Sequence, residues 1–183
     1  MDAITALTSR VSVARVTEPG PSEAEKQDIF QAALRAADHA NLRPWRFLVL
    51  EGEARERLGS VFAKAEKHDD PSMTGEMLDR ASKKALRAPL IVVVIAVCQE
   101  HPKVPEVEQV IAAGAAAQNM LVAAHAKGVG AYWRTGKMAF HPVVMSELGL
   151  ADNEQILGFL YFGTPVVSKP VPELNIDDYF QQW

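Results

Sequence analysis

Hydrogen-bond donors and aromatic rings gather at three places in the sequence: Ser9 to Arg15 (SRVSVAR), Arg35 to Phe47 (RAADHANLRPWRF) and Tyr132 to Gly136 (YWRTG). In the first, Arg10 and Ser12 stand two apart in an extended stretch, so a guanidinium and a hydroxyl point to one side and can grip a single phosphate. Taken alone, an Arg-x-Ser triplet is more often solvated surface. In the second, Arg35, His39, Asn41 and Arg43 crowd a loop that ends in Pro44 and Trp45. Packing does not explain that many donors, although a core position is the simpler reading of Trp45 by itself. In the third, a cation, backbone amides and a glycine meet at a strand end, where small ligands sit in layered α/β folds. Together the three segments favour a large planar anion as ligand.

The chain carries no GxGxxG, GxxxxGK[ST] or HExxH, so the usual nucleotide loops and zincin sites lack their parts. GxSxG is missing as well, and no Ser/His/Asp set declares itself. His39, His68, His101, His125 and His141 are scattered without a carboxylate at ligand spacing, which argues against a metal site. An enzyme without its own acid, base or nucleophile usually takes its chemistry from a cofactor.

The elements that must position these segments follow from periodicity. A short helix over Met1 to Ser9 leads into a loop to Pro21, and Ser22 with Glu25 has capping-box spacing ahead of a helix reaching about Asp38. His39 to Pro44 fits neither period. Arg46 to Leu50 reads as a strand, Glu53 to Lys67 as an amphipathic helix, and Asp70-Pro71 as the cap and first turn of another helix running to Pro89. Leu90 to Cys98 is apolar almost throughout, which predicts a strand at the centre of a sheet covered on both faces. Glu106 to Lys127 is the longest helical pattern, stopped by Gly128. Gly114 in its middle costs roughly 1 kcal/mol against alanine, a cost offset by close packing in the core or across a dimer interface. Val129 to Arg134 and Gln155 to Phe162 read as strands around a short helix at Pro142 to Leu148, with Gly163, Thr164 and Pro165 ending the last strand. The tail keeps Leu174, Ile176, Tyr179, Phe180 and Trp183, too many large apolar groups for a solvated extension, and a second subunit is the natural surface for it. Strand order is not fixed by these patterns.

Composition narrows the function classes. With 183 residues, 48% apolar and 23% charged, the chain has the make-up of one globular domain, long enough to hold a core without disulfides or metal. Its one cysteine, Cys98, ends the central apolar run and reads as a small buried hydrophobe. The net charge of -4 and the lack of a basic cluster give no reason to expect nucleic acid or an anionic membrane as partner. Met1 to Arg10 does not read as a secretory signal, and no apolar run approaches the roughly 20 residues of a membrane span. The expectation is a soluble cytoplasmic protein.

In order and spacing, these segments resemble the FMN-dependent nitroreductase family, above all the short NAD(P)H nitroreductases of its YdjA-like subgroup. Arg10-x-Ser12 is similar to the family's opening phosphate motif, and Arg35 to Trp45 looks like its loop ending in Gln-Pro-Trp. Trp133-Arg134-Thr135-Gly136 looks like the subgroup's Trp-Arg-Ser-Gly, and Gly158 to Pro165 (GFLYFGTP) resembles the last core strand. Val11 stands where the family commonly has arginine, and Arg43 where it has glutamine.

The resemblance implies an α+β fold, a central and mostly antiparallel sheet flanked by helices, in an intertwined homodimer with two FMN sites at its interface. It implies one domain over residues 1–183, with the tail from about residue 166 to 183 extending onto the partner. By the same carry-over, Arg10, Val11 and Ser12 hold the FMN phosphate from one subunit, Arg35 and His39 reach the flavin from the other, and Trp133, Arg134 and Thr135 line the opposite side. Ala123, Ala124, His125, Ala126, Lys127 and Gly128 match a segment associated with NAD(P). No side chain is implied as catalytic, because the flavin carries the chemistry. The expected activity is ping-pong transfer of electrons from NAD(P)H, through FMN, to a nitroaromatic, quinone or related acceptor. Arg43 beside the flavin's pyrimidine edge would raise its reduction potential. A flavin-binding carrier or sensor with little turnover is the second reading, and a scaffold that dimerises through the small-residue helix the third.

Overall fold

The apolar run from Leu90 becomes the middle of a sheet because both of its faces are covered. In the computed structural model, which describes residues 1–167 and 169–183, the order is α1 (Ala3–Ser9), β1 (Val16–Thr17), α2 (Glu23–Ala33), β2 (Trp45–Leu50), α3 (Glu53–Asp69), α4 (Gly75–Ser82), β3 (Leu90–Val97), α5 (Glu106–Ala126), β4 (Gly130–Arg134), α6 (Pro142–Glu147) and β5 (Glu154–Pro165). Short 3-10 turns occupy His39–Asn41, Lys83–Leu86, Lys137–Phe140 and Ile176–Asp178. β3 lies between β2 and β5, while β4 and β1 follow one another along the far flank of β5; every ladder is antiparallel.

Alternation along β3 divides the core. Ile91, Val93 and Ile95 pack with Leu58 and Phe62 of α3 and Val144 of α6. Leu90, Val92 and Val94 pack with Ile29 of α2 and with Ala116, Ala117 and Met120 of α5. Each such side chain contributes about 1.5–3 kcal/mol when fully buried, so the two-sided run sets the register. The architecture is α+β, with an antiparallel sheet between two helical layers. No helix among the described residues is long and apolar enough to cross a membrane.

Several boundaries differ from the sequence reading, each for a local or tertiary reason. The helix capped by Ser22, whose reciprocal bonds with Glu25 form as expected, stops at Ala33, with Leu34 as its C-cap. Pro71 starts no helix. The Asp70 carboxylate instead accepts from Ser72 N at 2.9 Å and closes a turn, and α4 begins at Gly75. The loop before Pro21 contains β1, which pairs with Thr164 and Pro165 and carries β5 past its expected end. Gly163 is there for close approach, since a Cβ would fall 2.7 Å from Pro89 and 2.8 Å from Thr17 O. Gly114 has open space beside it: apart from its own helix backbone and chain neighbours, a Cβ there would meet no atom of the described residues within 4 Å. It lies with Val107 (61% exposed) and Ile111 (64% exposed) on an open stripe of α5. In the expected tail, Leu174, Ile176, Tyr179, Phe180 and Trp183 are all exposed; Ser168 of that segment lies outside the described residues.

Candidate cofactor site

The end of β4 is shaped by a bulge in its neighbour. Between Val94 and Ile95 of β3 the register with β5 slips by one residue at Leu157, and Gly158 beside it has φ 156°. A side chain at Gly158 would come 2.1 Å from Trp133 Nε1, so the glycine makes room for the indole, whose N–H donates to Leu157 O at 3.1 Å. Trp133 thereby joins the α2/α5 side of the sheet. Its neighbours in β4, Tyr132 and Arg134, pair in register with Tyr161 and Phe159 and share their opposite face.

On that face Arg134 borders a cleft of about 400 Å³ between β4, α3 and the Lys83–Leu86 turn. Its guanidinium lies 4.4 Å from the Tyr132 ring centroid and 5.4 Å from that of Tyr161. Nη2 donates to Ala14 O at 3.2 Å, but Nε is buried with no hydrogen-bond partner among the described residues. An unmet buried donor costs roughly 1–3 kcal/mol, and more when charged. Arg55 Nε is in the same state, but its fork is spent on Ala88 O and, more loosely, on Glu18. Lys84 and Lys137 also border the cleft and share Glu66. Burial alone would push the Glu66 carboxyl up, but its bonds to Lys137 and Lys84 outweigh that and hold it below its usual range. A larger groove of about 960 Å³ lies at the other end of β3, beside buried Cys98, whose thiol burial pushes up. Its carboxylates Glu100, Glu106 and Asp152 oppose an anionic ligand there.

The loop carrying Arg10, Val11 and Ser12 reaches this region. Val13 N donates to Ala131 O at 2.8 Å and Val166 N to Arg15 O at 3.2 Å, so the segment runs beside β4, with Arg10 and Val11 half-buried and Ser12 exposed. Ser9 Oγ lies 2.9 Å from His125 Nε2, so the Ala123 to Gly128 segment borders the same loop. That segment is the C-terminal end of α5, the negative end of the helix dipole. Its backbone N–H groups at Lys127 and Gly128 are spent on the cap, and Lys127 Nζ is held by Asp28 at 2.5 Å.

Arg35 and His39 are elsewhere. Both are exposed, Arg35 just past α2 and His39 in the 3-10 turn, where its Nδ1 lies 2.7 Å from Glu108 Oε2 near the start of α5. Glu108 and His125 are 17 residues apart in one helix, about 25 Å at its standard rise. Within one chain, therefore, the structure gathers Arg10 to Ser12, Ala123 to Gly128 and Trp133 to Thr135, and leaves His39 at the far end of α5; Arg35 lies nearer the middle of that helix, three residues past Ala32, whose carbonyl accepts from Asn119 Nδ2 at 3.1 Å. The loop holding His39 is strained: Ala40 (φ 61°), Asn41 (φ 53°) and Arg43 (φ 48°) are all left-handed. Such residues cost of order 1–3 kcal/mol each and gather at ligand sites. The Asp38 carboxylate accepts from Arg43 N at 2.7 Å and braces the loop.

The histidines are less scattered than their spacing suggests. His39 meets Glu108, and His68, Asp69 and His141 bring their ligand atoms within 4.8 Å of one another. Nearly buried His141 accepts the Val143 N–H on Nδ1, which leaves its proton on Nε2, 2.9 Å from Asp69. With Lys137 only 3.6 Å from the same carboxylate, the trio acts as a latch between α3 and α6 more readily than as a cation site. The His141 bond is the main reason the Asp69 carboxyl is held low. Neither this latch nor the position of Arg87 and Lys84 at the cleft was visible in the sequence, where nothing marks them as near β4.

The profile of the Nitroreductase family matches residues 7–164. The chain is 41% identical over 181 residues to the "Putative NAD(P)H nitroreductase YdjA" of Escherichia coli K12, covering 97% of this chain and 96% of that protein. Among solved structures, a nitroreductase-like family protein from Bacillus cereus superposes with a TM-score of 0.83 at 21% identity, over 100% of this chain and 96% of that one. A mutant of NfnB, an FMN and NADPH-dependent nitroreductase from Sphigopyxis sp. strain HMH, gives 0.76 at 19%, over 100% and 99%.

Proposed function

The chain belongs to the nitroreductase family, and on that footing we propose that it is an NAD(P)H-dependent FMN oxidoreductase, working as a homodimer whose two flavin sites are each built from both subunits. The observation that carries this is the meeting of the Arg10 to Ser12 loop with the end of β4, where Arg134 holds out a buried N–H that no described residue accepts. An anionic group there answers both the orphaned donor and the excess of cations. NfnB's dependence on FMN and NADPH supports the choice of cofactor and reductant.

Arg10 and Ser12 hold the phosphate, with the backbone N–H of Val11 where a second cation is commonly found. Arg134 adds charge from β4, and Trp133 and Thr135 line the adjoining wall. Arg35 and His39 reach the same flavin from the partner, because within one chain the His39 contact stands about 25 Å along α5 from the Ser9 contact. Glu108 holds the His39 ring ready for that role. FMN, when bound, supplies the two-electron chemistry between NAD(P)H and a nitroaromatic, quinone or related acceptor. The chain's own part is to bind, orient and set the local field. The open stripe of α5 and the apolar tail form the interface, with the tail crossing to the partner. The reducing cytoplasm suits buried, unpaired Cys98.

An absorbance spectrum of the purified protein, before and after anaerobic NADPH, is the test. A flavin spectrum that bleaches with NADPH and returns with an acceptor is the expected result. Colourless protein that takes up no added FMN overturns the reading.

A further inference from the structure

Arg87 lies outside every segment that the sequence singles out, yet the fold sets it at the mouth of the Arg134 cleft. It caps the Lys83–Leu86 turn, and that turn is pinned from two sides. Tyr161 Oη donates to Lys84 O at 3.1 Å, and Arg55 Nη1 donates to Ala88 O at 2.8 Å. Burial pushes the Tyr161 phenol up to about 12 against the opposing pull of Arg134 and Arg87, so it remains a donor at neutral pH. The Arg87 backbone is therefore held in place while its side chain stays exposed.

Four cations border this cleft, and two are accounted for. Lys84 and Lys137 share Glu66, and Lys137 also approaches Asp69. Among the described residues neither Arg87 nor Arg134 forms a salt bridge with a carboxylate, and Arg134 Nε lacks any partner. Two unneutralised guanidiniums beside one aromatic wall repel each other, and an anion between them removes that repulsion and fills the empty donor position. A guanidinium fork matches the paired oxygens of a phosphate.

We propose that Arg87 and Arg134 form a phosphate-binding subsite, with Arg87 as a cation that no family motif assigns. The proposal rests on the flavin reading above. Its ligand is a phosphate ester, which the 5′-phosphate of FMN and the phosphates of NADPH both supply.

The test compares wild type with Arg87→Gln and Arg87→Lys, using Arg57→Gln as a control that removes a surface charge elsewhere. Apoprotein is titrated with FMN and with riboflavin, and KM is measured for NADPH and NADH. Arg87→Gln is expected to weaken FMN roughly ten- to hundredfold while leaving riboflavin unchanged, the loss expected for one charge-assisted bond. Arg87→Lys should fall between, and FMN affinity should depend less on salt in Arg87→Gln than in wild type. Unchanged FMN affinity with a raised KM for NADPH alone assigns the subsite to the nicotinamide cofactor instead. Equal weakening of FMN and riboflavin, or no change in FMN and NADPH, overturns the subsite while wild-type FMN binding leaves the flavin reading standing. Wild type that takes up no FMN overturns both. Should Arg87→Gln not fold, Arg87→Lys decides by the same criteria.

Discussion

Ile111→Asp should take the proposed flavin site apart without touching either half of it. Ile111 is 64% exposed on α5, one turn from Val107 and from the open position of Gly114; it lies one turn from Glu108 and about four turns from His125, and takes part in neither the Glu108–His39 nor the His125–Ser9 contact. Within the chain the substitution is a surface change, worth no more than about 0.5 kcal/mol. In a dimer closed over this stripe, covering the exposed two thirds of an isoleucine is worth about 1–2 kcal/mol per copy, and the twofold axis doubles it. Each buried carboxylate adds several kcal/mol more. A total of at least about 4 kcal/mol raises the dimer Kd roughly a thousandfold. Sedimentation equilibrium and the FMN retained per chain after desalting measure the two consequences, with far-UV circular dichroism as the folding control. The expected variant is folded, monomeric and colourless. A monomer that keeps one FMN per chain would place the whole site within one subunit and refute the reasoning from α5, and an unchanged dimer would show that the stripe is not the interface.

Three further changes probe the scaffold and the flavin environment. Glu154→Gln removes the carboxylate that meets Arg46 Nε and Nη2, both at 2.6 Å, and should cost about 2 kcal/mol, or roughly 4–8 °C in Tm; the figure sits below that for a fully buried pair because Arg46 is one third exposed. Because the Arg46 guanidinium holds the Glu154 carboxyl below its ordinary 4.5, its stabilisation is present above that value and fades as pH falls through the lower folded-state value. The gap in urea midpoint between variant and wild type should therefore narrow under acid, and an equal gap at about pH 3 and pH 7 would count against it. Gly158→Ala drives a Cβ to within 2.1 Å of Trp133 Nε1 and should cost about 2–4 kcal/mol with a shift in tryptophan fluorescence; an unperturbed spectrum would mean that the indole has other room. Arg43→Gln should lower the flavin midpoint potential by roughly 30 mV, the two-electron equivalent of about 1.4 kcal/mol, and a dye titration showing no change would remove Arg43 from the flavin's surroundings.

What the sequence revealed was whatever is written in short-range pattern. Leu90 to Cys98 announced a doubly covered strand because both of its faces are apolar, and Ser22 with Glu25 announced a helix start because a capping box closes within one turn. Features set by distant partners stayed hidden. The last turn of pairing in β5 depends on Val16 and Thr17, so Gly163 to Pro165 looked like a stop when it was a strand. Pro71 looked like a helical first position until the Asp70 carboxylate took the turn's donors. Arg87 carries no motif, and only the packing of its turn against Tyr161 brings it to Arg134. Gly158 did leave a trace, since a glycine inside a strand signals a bulge or a close approach, and Trp133 supplies both the cause and the contact.

On the proposed reading, the same long helix accounts for the need of a second chain at the flavin site and for where that chain would lie. If the His39 end of one α5 is to meet the Ser9 end of another, the two helices must run antiparallel about a twofold axis. Their midpoint falls halfway between Glu108 and His125, beside Ala116 and Ala117. Those alanines face the core, and the outward side at that level is Gly114, Ala115 and Gln118. A glycine there costs the isolated helix about 1 kcal/mol, and among the described residues nothing outside its helix packs against it closely enough to require one. At an axis, where a residue lies close to its own copy, the missing side chain lets two backbones approach while Val107 and Ile111 close over the flanks. The spacing of the two half-sites and the placement of the glycine thus point to one assembly, although the first comes from side-chain contacts at the helix ends and the second from the space around its centre.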